Sequence, residues 1–365
     1  VDSLTLILFV CGFIALIGGA ELMVRGAAHL AKVVGISPLV VGLTVVAFGT
    51  SAPELGVSVM SSFSGQSDIA LGNVVGSNIA NILLILGLSA LAAPLVVSRQ
   101  LLRVEVPLML GVSLLTWGMA LDGNIGRFEG LLLFAGVIGY TLWAFRRSRR
   151  NNSRENQKTI GEPGDMTVKG NSLVSNLLLI LAGLALLGVG SNWLVSGAVA
   201  LAKLFGVSDL LIGLTIVSVG TSMPELATSV MASLRGQRDM AVGNIVGSNL
   251  FNLMAVLGLT AVVAPDGVNV AAQALKFDLP VMIAVMAASI PIFFSGYLIS
   301  RGEGAMLTGY YLIYTLYLVL SAVGHQTLPA LSAGLVWVAL PLTGLLLVIT
   351  AGRTLYDHRV RACKP

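Results

Sequence analysis

Eleven runs of apolar residues follow one another along the chain, at 4–24, 38–63, 69–93, 104–121, 128–145, 172–195, 209–234, 240–264, 278–297, 305–323 and 328–350. Charges and turn-forming residues separate them. Each run is long enough to cross a hydrocarbon layer about 30 Å thick as a helix. The pattern predicts an all-α, polytopic membrane protein. The first run could be read as a signal peptide, because Gly18, Gly19 and Ala20 resemble a small-residue cleavage site. Nothing basic precedes it, however, and its end has a counterpart later in the chain, so it is read as a helix.

Composition supports this and removes one class of function. Only 10% of the 365 residues are charged and 56% are hydrophobic, with a mean hydropathy of +0.92. A soluble protein carries about 25% charged residues, so a water-soluble enzyme is excluded. The 42 glycines fit helices packed closely in lipid. Cys11 and Cys363 form neither a disulfide nor a metal-ligand pattern.

The positions of the charges predict an orientation. With eleven spans and the N-terminus outside, all but three of the 21 basic residues fall in cytoplasmic connections, the exceptions being Arg127, Lys203 and Lys276. The positive-inside rule selects that orientation. The basic balance is thus a topology signal and gives no reason to expect a nucleic-acid partner. Seven of the basic residues lie in 146–171, the one long polar stretch, which reads as a flexible cytoplasmic linker. It divides the chain into 1–145, a first five-helix unit, and 172–323, a second, with an appended helix and basic tail in 324–365.

The two units are copies. GLTVVAFGTSAPELGVSVMSS at the start of 42–94 faces GLTIVSVGTSMPELATSVMAS at the start of 213–265, and GNVVGSNIANILLILGL recurs as GNIVGSNLFNLMAVLGL. The offset is 171 without a gap, and 31 of 53 positions are identical. Generic apolar helices would not keep Thr, Ser, Pro, Glu and Asn in register, so this is a duplication. Five spans separate equivalent points, so the second copy crosses the membrane in the opposite sense. Inverted repeats of this kind are characteristic of secondary transporters, whose substrate sits at the midplane between the repeats.

Of 17 acidic residues only Glu54 and Glu225 fall deep within apolar runs, at equivalent positions. A charge at the bilayer centre costs at least about 2.5–3.5 kcal/mol, and no Lys, Arg or His lies at comparable depth. A cation from solution would supply the missing charge. The competing reading, two protonated carboxyls that cross-link helices, is opposed by the oxygen-rich surroundings. Each Glu follows a proline, which lacks an N–H and breaks the helix. Carbonyls of Gly49 and Gly220, with those of Ala47 and Ser218, are expected to be freed. Thr50 and Ser51, like Thr221 and Ser222, lie three or four residues before the Glu, on its face. Any one hydroxyl could instead bond its own helix backbone. Ser77 and Asn81, like Ser248 and Asn252, share a face of the next helix, whereas Asn78 and Asn249 point elsewhere and are expected to bond between helices. Gly72 with Gly76, and Gly243 with Gly247, form GxxxG pairs for close packing. Asp68 and Asp239 are expected to cap their helices. The inventory is all oxygen, without His or Cys, which suits hard cations such as Ca²⁺ or Na⁺ rather than zinc or copper.

The stretches GTSAPE…GNVVGSNIAN and GTSMPE…GNIVGSNLFN closely resemble the α-repeats of the cation/calcium exchanger superfamily, in its bacterial sodium/calcium exchanger branch. The resemblance spans most of residues 1–323. It implies ten helices in two inverted five-helix repeats and a prokaryotic inner or plasma membrane location. It also implies Ca²⁺ transport driven by Na⁺ through alternating access, with no enzymatic activity and no cofactor. The ligands it implies are Glu54, Glu225, Thr50, Ser51, Thr221, Ser222, Ser77, Ser248, Asn81 and Asn252, with the carbonyls of Ala47 and Ser218. Two features depart from it. Some members carry Asp where this chain has Asn252, which argues against K⁺ co-transport, and the run at 328–350 is an eleventh helix outside the pattern. The 26-residue central loop is too short for a large Ca²⁺-sensing domain. Proton/Ca²⁺ antiport is the nearest rival, since a proton could also discharge a buried Glu. A cation channel fits an inverted duplication less well. An intramembrane enzyme finds no support, because His29, His325 and His358 lie near span ends.

Overall fold

The computed structural model describes residues 3–158, 173–206, 218–294, 296–322 and 344. Its first half contains α1 (Ser3–Val34), α2 (Pro38–Thr50), α3 (Ala52–Phe63), α4 (Ser67–Ala92), α5 (Leu101–Asp122) and α6 (Arg127–Lys158). The second half contains α7 (Leu173–Leu204), α8 (Ser218–Thr221), α9 (Met223–Leu234), α10 (Arg238–Val263), α11 (Ala274–Phe294) and α12 (Arg301–Ala322). Among the described residues eight helices are long and apolar enough to cross a membrane, and α2 with α3 makes a ninth, bent by 43°. Of the expected span 209–234 only α8 and α9 are described, and of the expected helix at 328–350 all but residue 344 lies outside the described residues.

Local chemistry explains the broken span. Pro53 sits in the first turn of α3 and Pro224 in that of α9. Neither can donate to the helix before it, so the residue between the halves leaves helical geometry. Ser51 has φ −81° and ψ 5°, and Ser222 has φ −89° and ψ 9°. Irregular backbone at this depth is tolerated only when protein surrounds it, and Ser51 and Ser222 are both buried. Wide π turns recur as well, in register at Asn81–Ile85 and Asn252–Val256, and two residues out of it at Leu101–Glu105 and Ala274–Asp278.

The repeats interlock in opposite directions. Helices α1 and α7 pack antiparallel with almost no gap. A Cβ on Gly12 would lie 2.9 Å from the Gly190 carbonyl oxygen, and one on Gly19 would lie 2.8 Å from that of Gly183. Two short ribbons show the same exchange. Leu95–Val96 (β1) pairs antiparallel with Leu298–Ile299 (β4), and Asn124–Ile125 (β2) with Val268–Asn269 (β3). Each ribbon joins the two repeats, and α5 runs from β1 to β2, so the ribbons mark opposite ends of the bundle. Arg99, Arg235, Arg238 and Arg301 flank the β1–β4 end, hereafter the basic end. The core between them is formed mainly by α4 and α10, the most completely buried of the long helices.

Two expectations change and a third is met in part. The linker at 146–171 does not begin as flexible chain, because α6 continues to Lys158. Residues 146–158 contain neither Gly nor Pro, and five of the thirteen are Arg, so nothing stops the helix as it leaves the apolar layer. Asp68 and Asp239 are not N-caps. They lie inside the first turns of α4 and α10, which begin after Gln66 and Gln237, and there a carboxylate faces the positive end of the helix dipole. Gly243 and Gly247 do allow close packing, a Cβ on either meeting the α2 backbone at 2.7 Å. By the repeat, the counterpart surface for Gly72 and Gly76 falls largely in 207–217, outside the described residues.

Candidate cation site

The two chain breaks face each other at the centre of the bundle. Glu54 is 0% and Glu225 1% exposed, each in the first turn of the helix that follows its break. The serine at each break donates to the carboxylate of the opposite repeat. Ser51 Oγ is 3.2 Å from Glu225 Oε1, and Ser222 Oγ is 3.2 Å from Glu54 Oε1. Ser222 also lies 3.2 Å from Ser77 Oγ. The carboxylates are close enough for the charge of one to act on the other. This is a single centre built by both repeats, and neither repeat could form it alone.

Around it the remaining oxygens take distinct positions. Thr50 Oγ1 lies 3.3 Å from Asn244 Oδ1 and Thr221 Oγ1 lies 3.4 Å from Asn73 Oδ1. Asn73 Nδ2 donates to the Glu54 carbonyl at 3.1 Å and to Ser58 Oγ at 2.9 Å, while Asn244 Nδ2 donates to Ser229 Oγ at 2.9 Å. Asn81 Nδ2 donates to Asn249 Oδ1 at 3.1 Å, and its own Oδ1 has no partner among the described residues. Asn249 thus makes the inter-helix bond expected of it, whereas Asn78 is buried without a partner among the described residues. Glu54 Oε2, Glu225 Oε2, Ser248 Oγ and Asn252 Oδ1 are likewise buried and unpartnered there. Uncompensated polar atoms in a dry interior are expensive, and a set made of carboxylate, amide and hydroxyl oxygens suits a hard cation.

The carbonyl expectation divides. Pro53 removes the N–H that would pair with Gly49, but Ala47 keeps its own partner. Its carbonyl accepts the Ser51 N–H at 3.0 Å and lies 3.4 Å from the Thr50 hydroxyl. The reason is the register: Ala47 pairs with residue 51, which is not proline. The Ala47 carbonyl is therefore not freed, and an ion could use it only in place of the Thr50 hydroxyl. In the other repeat Ser191 Oγ donates to the Gly220 carbonyl at 2.6 Å. Ser218 opens α8, and its side chain is outside the described part.

Asn73 and Asn244 were not singled out from sequence, although the signal was present. Asn73, Ser77 and Asn81 are spaced at i, i+4 and i+8, and so are Asn244, Ser248 and Asn252, which places each triplet along one helix face. Among the described residues no cluster of three or more His, Cys, Asp or Glu side chains occurs. The centre therefore rests on two carboxylates with neutral oxygens.

Residues 4–146 and 175–320 match the family model described as sodium/calcium exchanger protein. The chain is 31% identical over 344 residues to the sodium/calcium exchanger MaX1 of Methanosarcina acetivorans, covering 86% of this chain and 97% of that one. A more distant relative, the Ca²⁺/H⁺ antiporter ChaA of Bacillus subtilis, is 25% identical over 303 residues, or 77% of this chain and 82% of the other. Among solved structures, the sodium-calcium exchanger NCX_Mj without Na⁺ and Ca²⁺ superposes with a TM-score of 0.74 at 28% identity, covering 87% of this chain and all of that one.

Proposed function

The chain belongs to the sodium/calcium exchanger protein family, and from that premise we propose that it exchanges Ca²⁺ for Na⁺ across a prokaryotic cell membrane through the centre at Glu54 and Glu225. The observation that carries this reading is the crossed pair of bonds, Ser51 to Glu225 and Ser222 to Glu54. It makes one ion site out of two oppositely oriented repeats. The ligands would be the two carboxylates, the hydroxyls of Thr50, Ser51, Thr221, Ser222, Ser77 and Ser248, the amide oxygens of Asn81 and Asn252, and the carbonyls of Ala47 and Ser218. As the ion arrives, Ser51 and Ser222 turn their lone pairs toward it, and the carboxylate oxygens they held become available.

Charge explains why transport is exchange. Two carboxylates balance one Ca²⁺. Without an ion, two like charges would face each other in a region of low dielectric, where their repulsion is far greater than in water. That state is too costly to pass from one face to the other, so the site turns over loaded with Ca²⁺ or with Na⁺, whose radius is similar. With Asn rather than Asp at 252, the neutral amide adds a ligand without a third negative charge. The basic end would face the cytoplasm, in line with the distribution of Lys and Arg.

A second reading has one specific observation in its favour, the similarity to a Ca²⁺/H⁺ antiporter. Two protons would discharge the same carboxylates. Ca²⁺ uptake into proteoliposomes under an imposed Na⁺ gradient, with the pH gradient collapsed, separates the two. Uptake is expected; uptake that requires a pH gradient and ignores Na⁺ would transfer the site to proton coupling.

A further inference from the structure

The repeats are equivalent in sequence but unequal in hydrogen bonding, and the inequality follows a pattern. At the centre the crossed serine–carboxylate bonds are both made, each at 3.2 Å. Away from it, the Thr221–Asn73 contact has its equivalent in Thr50–Asn244, but the serine contacts made between α8–α9 and α4 are missing between α2–α3 and α10. Ser222 reaches Ser77 Oγ at 3.2 Å, but Ser248, which stands in the place of Ser77, is buried without a partner among the described residues. Ser233 Oγ lies 3.0 Å from the carbonyls of both Ser89 and Ala93, where α4 ends. The equivalent contact would join Ser62 to the carbonyls of Thr260 and Ala264, where α10 ends. Ser62 is 3% exposed, and its hydroxyl has no partner among the described residues.

The two sites lie at opposite ends. Ser233 and Ala93 sit beside Arg235 and the β1–β4 ribbon, at the basic end, while Ser62 and Ala264 sit at the end with β2 and β3. We propose that Ser233 and Ser62 are alternating latches. Ser233 holds α9 against the end of α4 in the state described here, and in the opposite state Ser62 holds α3 against the end of α10 while Ser233 lets go. Neither serine touches the ion; both act on the helices that carry Glu225 and Glu54. A buried hydroxyl without a partner is unfavourable, so Ser62 carries a standing preference for the other state. Because each state satisfies one latch and frustrates its equivalent, the pair opposes neither state overall. A protein that must pass between two faces needs that balance.

This inference rests on the exchange reading and is tested on the full chain in oriented proteoliposomes. Apparent Ca²⁺ affinity is measured from each face for Ser233→Ala and Ser62→Ala. Losing a latch changes the balance by about the worth of one hydrogen bond, roughly fivefold. Ser233→Ala should weaken apparent affinity from the Ser62 end and strengthen it from the basic end, and Ser62→Ala should do the reverse. Ser233→Thr, which keeps the hydroxyl, should behave as the parent. Shifts of the same sign in both alanine variants, no shift in either, or a threonine variant that matches alanine would overturn the latch. Amide exchange at the end of α4 needs no transport and should increase in Ser233→Ala but not in Ser62→Ala. Equal protection in both would also overturn it, whereas a parent protein that carries no Ca²⁺ would count against the exchange reading alone.

Discussion

Two regions of this protein withdraw a carboxylate completely from water, and they do so differently. At the centre Glu54 and Glu225 face each other, held by hydroxyls from opposite repeats. At the start of α5, Glu105 is also 0% exposed. Its Oε1 accepts a bond from Gln100 Nε2 at 3.0 Å, and the positive charge of Arg147, on α6, acts on it. Glu105 thus has an amide partner and lies within reach of the Arg147 charge, while its Oε2 is buried without a partner among the described residues. The centre has a second anion instead, surrounded by neutral oxygens. Burial alone therefore does not mark an ion site; what surrounds the carboxylate, an amide and a more distant cation or a second carboxylate among hydroxyls, separates the two regions.

That contrast predicts a graded response. Neutralising either central carboxylate, by Glu54→Gln or Glu225→Gln, should reduce Na⁺-driven Ca²⁺ uptake by at least about a hundredfold while the protein remains folded and inserted, since a charge-assisted ligand in a dry site is lost. Substantial exchange in both variants would remove the centre as the transport site. Removing one crossed hydroxyl, by Ser51→Ala or Ser222→Ala, should weaken apparent Ca²⁺ affinity by about tenfold, the worth of a hydrogen bond to a charged group. An effect as large as that of the glutamates would mean that the serines carry the ion and the carboxylates merely position them. The smallest effect belongs to Glu105→Gln, which keeps the shape and the Gln100 neighbour. Apparent Ca²⁺ affinity should stay within about twofold, because Glu105 bonds to Gln100 rather than to any residue of the centre, and separated sites act nearly independently. A tenfold loss would erase the distinction between the two regions.

Glu105 also shows where sequence reading ran out. It lies at the margin of an apolar run, next to Arg103, and so resembles an ordinary span-end charge. Only the fold packs α5 and α6 around it. Glu54 and Glu225 were legible because they interrupt long apolar runs in register and follow prolines whose backbone consequence is fixed by chemistry. The inverted arrangement was legible too, from the odd number of spans between copies, and the ribbon pairings and the antiparallel contact of α1 with α7 express it directly. The Asn73 and Asn244 bonds needed the partner helix, because an asparagine in a Gly-rich helix is as readily a packing residue as a clamp. The helical continuation to Lys158 was hidden by hydropathy, which ends a span where charges begin although the backbone has no reason to stop there. The carbonyl expectation failed at Ala47 by two residues of register. Proline deprives the residue four before it, and that residue is Gly49.

The most direct test of one shared centre is equilibrium Ca²⁺ binding to the purified protein, titrated at increasing Na⁺. The structure predicts a single Ca²⁺ per chain, displaced competitively by Na⁺ and lost when either Glu54 or Glu225 becomes Gln. Ca²⁺ that binds undisturbed by saturating Na⁺, or that survives the loss of both carboxylates, would contradict it.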